Sequence, residues 1–287
     1  MEVLTEQIVA PALYVVATPI GNLTDISLRA LHILRNVDQI AAEDTRHSER
    51  LLARYGIDAT IVSLHEHNER ERVQTLLVNL QRGDSIALIS DAGTPLISDP
   101  GYELVRQVSQ AGYRVIPIPG ACAAVTALSV AGLATDTFTF VGFSPSKAGA
   151  RRQFFEHHSQ RTETFLFYES PKRLIASLDS LAEVVGKSRQ LVIARELTKL
   201  HETILRGEVG ELLERLRADP GQCRGEIVVL VAGLPKAEVS ELDNDAERLL
   251  TLLLEELPVT RAAQVVAQFR GLPRRQVYRR ALTMQKK

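Results

Sequence analysis

The feature that most constrains the fold is a rhythm. From residue 13 to residue 131, short apolar and β-branched runs alternate with stretches of helical spacing. The runs predict strands at 13–18, 39–42, 61–64, 85–90 and 114–117, with helices at 27–35, 45–55, 69–81, 102–111 and 121–131 between and after them. In 69–81 the apolar residues Val73, Leu76, Leu77 and Leu80 recur at three- and four-residue intervals, the signature of one buried helical face. Ser27 is placed to cap the first helix, and Gly56, Gly112 and Gly132 stand just past expected helix ends. This alternation predicts a mainly parallel sheet with helices on both faces. In open sheets of that kind, ligands sit outside the carboxyl ends of the strands.

A second unit opens near Thr135, with expected strands at 137–143, 164–168, 190–196, 202–206 and 226–232 and helices at 151–159, 171–185 and 209–218. Its later strands follow shorter connections, which predicts antiparallel pairing there. After Gly233 a polar stretch, 234–244, reads as a linker, and two or three helices follow. The expected organisation is therefore two α/β domains, 1–133 and 134–233, and a helical extension, 234–287.

Bulk numbers narrow the function. The net charge of -1 over 287 residues excludes a chain that binds nucleic acid by overall charge, so any such role needs a local patch. Cys122 and Cys223 are the only cysteines and form no CxxC pair, which argues against a disulfide framework or a zinc site. Residues 1–12 contain glutamates and no lysine or arginine, unlike a secretory signal, and no long apolar run predicts a membrane span. A reducing cytoplasm is the expected setting. His65-Glu66-His67 has chelating spacing, but no further Cys or His lies near it in sequence, so no metal is expected.

Three strand-to-helix junctions carry unusual loops. The longest is Ser90-Asp91-Ala92-Gly93-Thr94-Pro95-Leu96-Ile97-Ser98-Asp99-Pro100-Gly101. The others are Thr18-Pro19-Ile20-Gly21-Asn22-Leu23-Thr24-Asp25 and Pro117-Ile118-Pro119-Gly120-Ala121-Cys122-Ala123-Ala124. Small residues there let backbone N–H and C=O groups approach a ligand closely. Neither a GK[ST] nor a GxGxxG pattern is present, so a phosphate cradle is not supported.

Together with Ala41-Ala42-Glu43-Asp44-Thr45-Arg46-His47, Phe167-Tyr168-Glu169-Ser170-Pro171 and Ala194-Arg195-Glu196-Leu197-Thr198-Lys199, these loops resemble the small-subunit ribosomal RNA 2'-O-methyltransferases of the tetrapyrrole-methylase fold. The resemblance covers about 13–232. It implies two α/β domains of tetrapyrrole-methylase type with S-adenosylmethionine (SAM) in the cleft between them; the C-terminal segment, by its own spacing, reads as a small helix-turn-helix-like domain. It also implies a homodimer and methylation of a cytidine ribose in the decoding region of 16S rRNA, the partner being either the 16S rRNA itself or the small ribosomal subunit. Carried over by position, the SAM-contacting residues are Pro19, Asp91, Ala92, Gly93, Thr94, Ile97, Cys122, Ala123, Tyr168, Glu169 and Leu197. Where tetrapyrrole methylases often carry Gly-Asp-Pro, this chain has Gly93-Thr94-Pro95, which fits the RNA branch.

A ribose hydroxyl is a poor nucleophile at neutral pH, so a base or a cation should assist. The candidates are Glu43, Asp44 and Lys199, with Lys199 able to stabilise a developing alkoxide or grip a phosphate. Glu43 or Asp44 can alternatively cap the helix near Thr45, and Arg195 and Glu196 can pair with neighbours. From 258 to 287 there are eight Lys or Arg and no acid. Thr260 is expected to cap one helix, Gly271-Leu272-Pro273 to turn the chain, and Arg274–Met284 to form a second helix. Arg274, Arg275, Arg279 and Arg280 would face phosphates, joined by Arg46, Lys147, Arg151 and Arg152. Two other readings stay open: the same fold methylating a tetrapyrrole or other small molecule, and a non-enzymatic nucleic-acid-binding sensor.

Overall fold

The computed structural model describes residues 8–65, 67–234 and 242–284. Glu66, the 235–241 part of the expected linker, residues 1–7 and the last three residues of the basic tail lie outside the described residues. The chain divides into two compact units, Met1–Gly233 and Leu234–Lys287.

The first unit opens with β1 (Ala12–Val16), α1 (Leu28–Asn36), β2 (Gln39–Ala42), α2 (Thr45–Arg54) and β3 (Ile61–Ser63). It continues with α3 (Glu69–Gln81), β4 (Ser85–Ile89), α4 (Tyr102–Gln110), β5 (Arg114–Ile118) and α5 (Ala123–Ala131). The strands form one sheet in the order β3-β2-β4-β1-β5, with every pair parallel. Both faces are covered, as the continuous apolar strand runs require. Leu13 of β1 packs with Leu76, Leu80 and Leu104 on one face. Its neighbour Tyr14 packs with Ile33, Leu34 and Leu52 on the other. Ser27 caps α1 by accepting from the Ala30 N–H at 3.0 Å.

The second sheet comprises β6 (Phe138–Phe143), β7 (Thr164–Glu169), β8 (Gln190–Arg195), β9 (Thr203–Glu208) and β10 (Ile227–Val231). Their order is β6-β7-β10-β8-β9, with β6–β7 parallel and the remaining pairs antiparallel. Helices α6 (Ala148–His158), α7 (Leu174–Val185) and α8 (Val209–Ala218) belong to this half. Val229 and Val231 of β10 face the core built with Leu178, Leu181 and Leu212. Val228 and Leu230 face the opposite way, against Ala124, Ala127, Leu128 and Ala131 of α5. The small residues of α5 thus have a packing role: they let a helix that follows the first sheet lie closely on the second. Each fully buried leucine or valine in this seam is worth roughly 1.5–3 kcal/mol relative to exposure.

Three helices start at positions other than those expected. Helix α5 starts at Ala123 rather than at residue 121, because Ala121 and Cys122 still belong to the loop. Helix α7 starts at Leu174 rather than at Pro171, after a turn closed by the Arg173 N–H on the Ser170 carbonyl at 2.9 Å. Helix α6 starts at Ala148, three residues earlier than expected, which places Arg151 inside it.

The second unit contains α9 (Asn244–Glu256), α10 (Val259–Arg270) and α11 (Arg274–Met284). Asp243 caps α9 by accepting from the Ala246 N–H at 2.7 Å. Pro258, not Thr260, occupies the cap position of α10, so Thr260 lies within its first turn. Gly271, at φ +66°, ends α10 in the left-handed conformation that glycine adopts without a Cβ clash. Leu250, Val266 and Val277, one from each helix, meet in a small core.

Candidate active site

The loops on the carboxyl edge of the first sheet are stitched together. Thr18 and Gly93 exchange backbone hydrogen bonds of 2.8 and 3.1 Å. The Thr18 hydroxyl donates to the Ser90 carbonyl at 3.2 Å, and the Thr94 hydroxyl donates to the Ala121 carbonyl at 3.0 Å. The Asp44 N–H donates to Asp91 Oδ1 at 3.1 Å. The loops after β1, β2, β4 and β5 therefore form one connected edge. Gly93 holds φ +85°, and a Cβ there would lie 3.2 Å from Ile20. Leu96 and Ser98 are held at φ +73° and +71°, where a side chain costs roughly 1–2 kcal/mol. Non-glycine residues at positive φ concentrate at ligand sites.

A cavity of about 370 Å³ lies between this edge and the second sheet. That size is within the range of small-molecule sites, roughly 300–1,000 Å³. From the first half, Glu43, Asp91, Ala92, Gly93, Thr94, Ile97, Cys122 and Ala123 line it, and Tyr168 and Glu169 contribute from the second. Pro19 does not line it; its neighbour Ile20 does. Leu197 is buried beside Ile20 and Ala123 around a recess of about 20 Å³. Sequence reasoning did not single out Ser98, Asp99, Phe143, Ser170, Pro171, Gly225, Glu226, Ile227 or Val228, all of which border the cavity. Asp99 was within the quoted loop. Gly225 to Val228 carried no signal, because the start of a buried strand reads only as a strand.

The lining carries Glu43, Asp91, Asp99, Glu169 and Glu226, and no Lys, Arg or His among the described residues. Burial raises the pKa of Asp99; a hydrogen bond with Ser90 opposes the shift, and the charge of Asp91 adds to it. Burial likewise pushes the Tyr168 hydroxyl up, with Cys122 adding to the effect. The Tyr168 ring packs against Phe140 and Phe143, with centroids 4.8 and 5.3 Å apart. An acidic, partly apolar chamber of this kind favours a cation with organic surroundings over a phosphate.

Several expected site residues have other duties. Glu169 is buried, and its carboxylate accepts from the hydroxyls of Ser144 and Ser177, from the Ser170 N–H at 2.6 Å and from Arg173 Nε at 3.1 Å. It organises the cavity wall rather than offering an open carboxylate. Asp44 caps α2, accepting from the N–H groups of Arg46 and His47 at 2.9 and 3.4 Å. Lys199 Nζ lies 2.8 Å from Glu196 Oε1 and 3.2 Å from Glu226 Oε2. Burial pulls the Lys199 pKa down, but its two carboxylate partners outweigh that and leave it raised. Lys199 thus reaches the cavity only through Glu226. Arg195 ties down the β8–β9 connection through the His201 carbonyl and the Thr203 hydroxyl, at 3.3 and 3.0 Å.

The expected RNA contacts also divide. Arg151 is 6% exposed and donates to Ser180 and to the Ser146 carbonyl, so it serves the fold and does not face a partner. Arg152 is exposed but paired with Glu156 and Glu183 at 3.0 and 3.1 Å. Lys147 is exposed at the cap of α6, and Arg46 is exposed on α2. In the second unit Arg280 pairs with Glu247, contrary to its expected readiness for phosphate. Arg274, Arg275 and Arg279 are exposed with no side-chain partner among the described residues. No His, Cys, Asp and Glu group suited to a metal occurs among the described residues, and no helix there is long and apolar enough to cross a membrane.

Residues 12–213 match the family of Tetrapyrrole (Corrin/Porphyrin) Methylases, and 240–285 match the RsmI C-terminal HTH domain. The uroporphyrin-III-C-methyltransferase of Thermus thermophilus shares the fold, with a TM-score of 0.54 at 18% identity over 78% of this chain and 95% of that one. Fold and cavity thus define a methyltransferase of tetrapyrrole-methylase type. Ribosomal RNA small subunit methyltransferase I of Escherichia coli O157:H7 is 50% identical over 95% of each chain. The protein of that name from Pseudomonas aeruginosa is 50% identical over 97% of this chain and 99% of its own. The chain belongs to the ribosomal RNA small subunit methyltransferase I family.

Proposed function

We propose that this chain transfers the methyl group of SAM to the ribose 2'-hydroxyl of a cytidine in the decoding region of 16S rRNA, in the cytoplasm and as a homodimer. The observation that carries the reading is the acidic cavity between the two sheets, in a chain about half identical to named rRNA methyltransferases. SAM, when bound, supplies an electrophilic methyl on a sulfonium cation. The fit is chemical: the lining has carboxylates and backbone groups, an aromatic face at Tyr168, and no basic side chain among the described residues. The contacts fall to Asp91 to Thr94, Ile97, Cys122, Ala123 and Tyr168, with Glu169 holding the wall behind them.

The residues of this chain then do three things. The stitched loops fix the donor's orientation, and alignment of reacting groups can supply roughly 7–11 kcal/mol of barrier reduction. Tyr168, Ile227 and Val228 give the cavity an apolar wall on the side of the second sheet. Glu43, the one expected catalytic residue whose side chain borders the cavity, accepts the proton of the 2'-hydroxyl. Asp44 and Lys199 serve as positioning residues, through Asp91 and Glu226 respectively. The small-molecule alternative leaves Arg274, Arg275 and Arg279 without a role.

The test is nucleoside mass spectrometry of 16S rRNA from cells lacking the gene, complemented with the intact chain or with Glu43→Gln. The proposal expects one 2'-O-methylcytidine to vanish, to return with the intact chain, and to return poorly with the variant. An unchanged nucleoside profile in the gene-deleted cells overturns it.

A further inference from the structure

Helix α2 begins two residues after the cavity-lining Glu43 and carries Arg46, Arg50 and Arg54 at intervals of four. That spacing puts all three on one face. The opposite face, with Ser48, Leu51 and Leu52, is buried. All three arginines are exposed, and none makes a side-chain hydrogen bond or ion pair among the described residues. The only acid on the helix, Glu49, pairs with none of them. Other exposed arginines of this unit, such as Arg106, Arg152 and Arg217, pair with carboxylates; what sets α2 apart is three arginines aligned on one helix face without such a partner among the described residues.

Arg46 stands in the first turn of α2; the Asp44 carboxylate that caps this turn accepts from the Arg46 and His47 N–H groups and offsets the positive end of the helix dipole, but among the described residues it forms no ion pair with the Arg46 guanidinium. That guanidinium is left to a partner that brings negative charge. The cavity itself is acidic and repels phosphates, so a nucleic-acid backbone must be held beside it rather than within it. A row of unpaired guanidinium groups starting at its rim meets that requirement, since arginine forks match phosphate oxygens.

We infer that Arg46, Arg50 and Arg54 form a phosphate track on which the substrate RNA strand lies as it enters the cavity at Glu43. This deepens the proposed function and rests on its RNA substrate. The track carries no base specificity; it fixes the path of the strand.

The experiment measures binding of the full chain to a fluorescent 16S rRNA decoding-region fragment at several salt concentrations. The intact chain is compared with the triple variant R46Q/R50Q/R54Q and with R114Q, an exposed arginine on β5. Calorimetric titration with SAM confirms that each variant keeps its cavity. The track predicts at least tenfold weaker RNA binding for the triple variant. It also predicts a log–log salt slope reduced by about two to three, since each lost phosphate contact removes roughly 0.7–0.9. SAM binding and the R114Q slope should match the intact chain. An unchanged slope and affinity in a triple variant that binds SAM overturns the track while leaving the methyltransferase reading intact. Absence of RNA binding and of methyl transfer by the intact chain overturns both.

Discussion

The backbone N–H of Asp44 donates to Asp91 Oδ1 at 3.1 Å, joining the loop after β2 to the loop after β4. Asp44 in turn caps α2, so the lining residue Asp91 is hydrogen-bonded to the residue that starts that helix, next to the lining residue Glu43. Asp91→Ala removes the acceptor and should weaken SAM binding by about tenfold to a hundredfold, the scale of one hydrogen bond to a charged group. Asp91→Asn keeps an acceptor oxygen but loses the charge, and should fall between the intact chain and Asp91→Ala. Calorimetric titration of both variants checks this; equal losses would place the effect in the charge rather than in the hydrogen bond.

Asp99 gives a prediction with opposite signs for stability and function. Its folded-state pKa is raised by burial, so its contribution to stability is fully present below the unfolded value of 3.8 and is lost as pH rises through the folded pKa. At neutral pH the buried charge is a liability. Asp99→Asn should therefore raise the melting temperature of the ligand-free protein at pH 7, with the advantage disappearing below about pH 3.8. The same change should weaken SAM binding by removing a negative charge from the lining. Thermal melts across pH and one titration read both effects.

Glu169 is the hub of a buried polar cluster. Glu169→Ala leaves Ser144, Ser177 and the Ser170 N–H without an acceptor and Arg173 without its carboxylate. Removing one partner of a buried charged network costs about 3–5 kcal/mol. Denaturant unfolding should show a loss of that size, whereas Arg152→Ala, which breaks only exposed pairs, should change stability by less than about 1 kcal/mol.

The second unit separates arginines by task. Arg274→Gln, Arg275→Gln and Arg279→Gln together should lower affinity for rRNA and leave SAM affinity unchanged, as should deletion of residues 258–287. Arg280→Gln should affect RNA binding less, because its guanidinium already pairs with Glu247. Electrophoretic binding assays on the full chain discriminate the two sets.

The sheet, its loops and the acidic residues at their tips were legible because they are local: strand runs, capping residues and small-residue junctions write themselves in consecutive positions. The antiparallel pairing of β8, β9 and β10 was legible from short connections. What was not legible is long-range. Nothing near Lys199 announces that Glu226 arrives beside it, nothing near Arg151 announces Ser180, and nothing near Glu247 announces Arg280. A charged side chain reads as available until the partner that occupies it is known. Thr260 shows the same limit locally: a good capping residue yielded to Pro258, whose fixed φ suits the start of α10.

On the proposed function, the acidic cavity between the two sheets holds a cationic methyl donor beside the positive-φ turn at Gly93. Calorimetric titration of SAM into the intact chain and into Gly93→Ala tests it most directly. A Cβ at φ +85° is strained and, 3.2 Å from the Ile20 side chain, crowds that neighbour. Saturable one-to-one binding to the intact chain is expected, with binding at least tenfold weaker to a folded Gly93→Ala. No heat with the intact chain, or equal affinity in the two proteins, would contradict it.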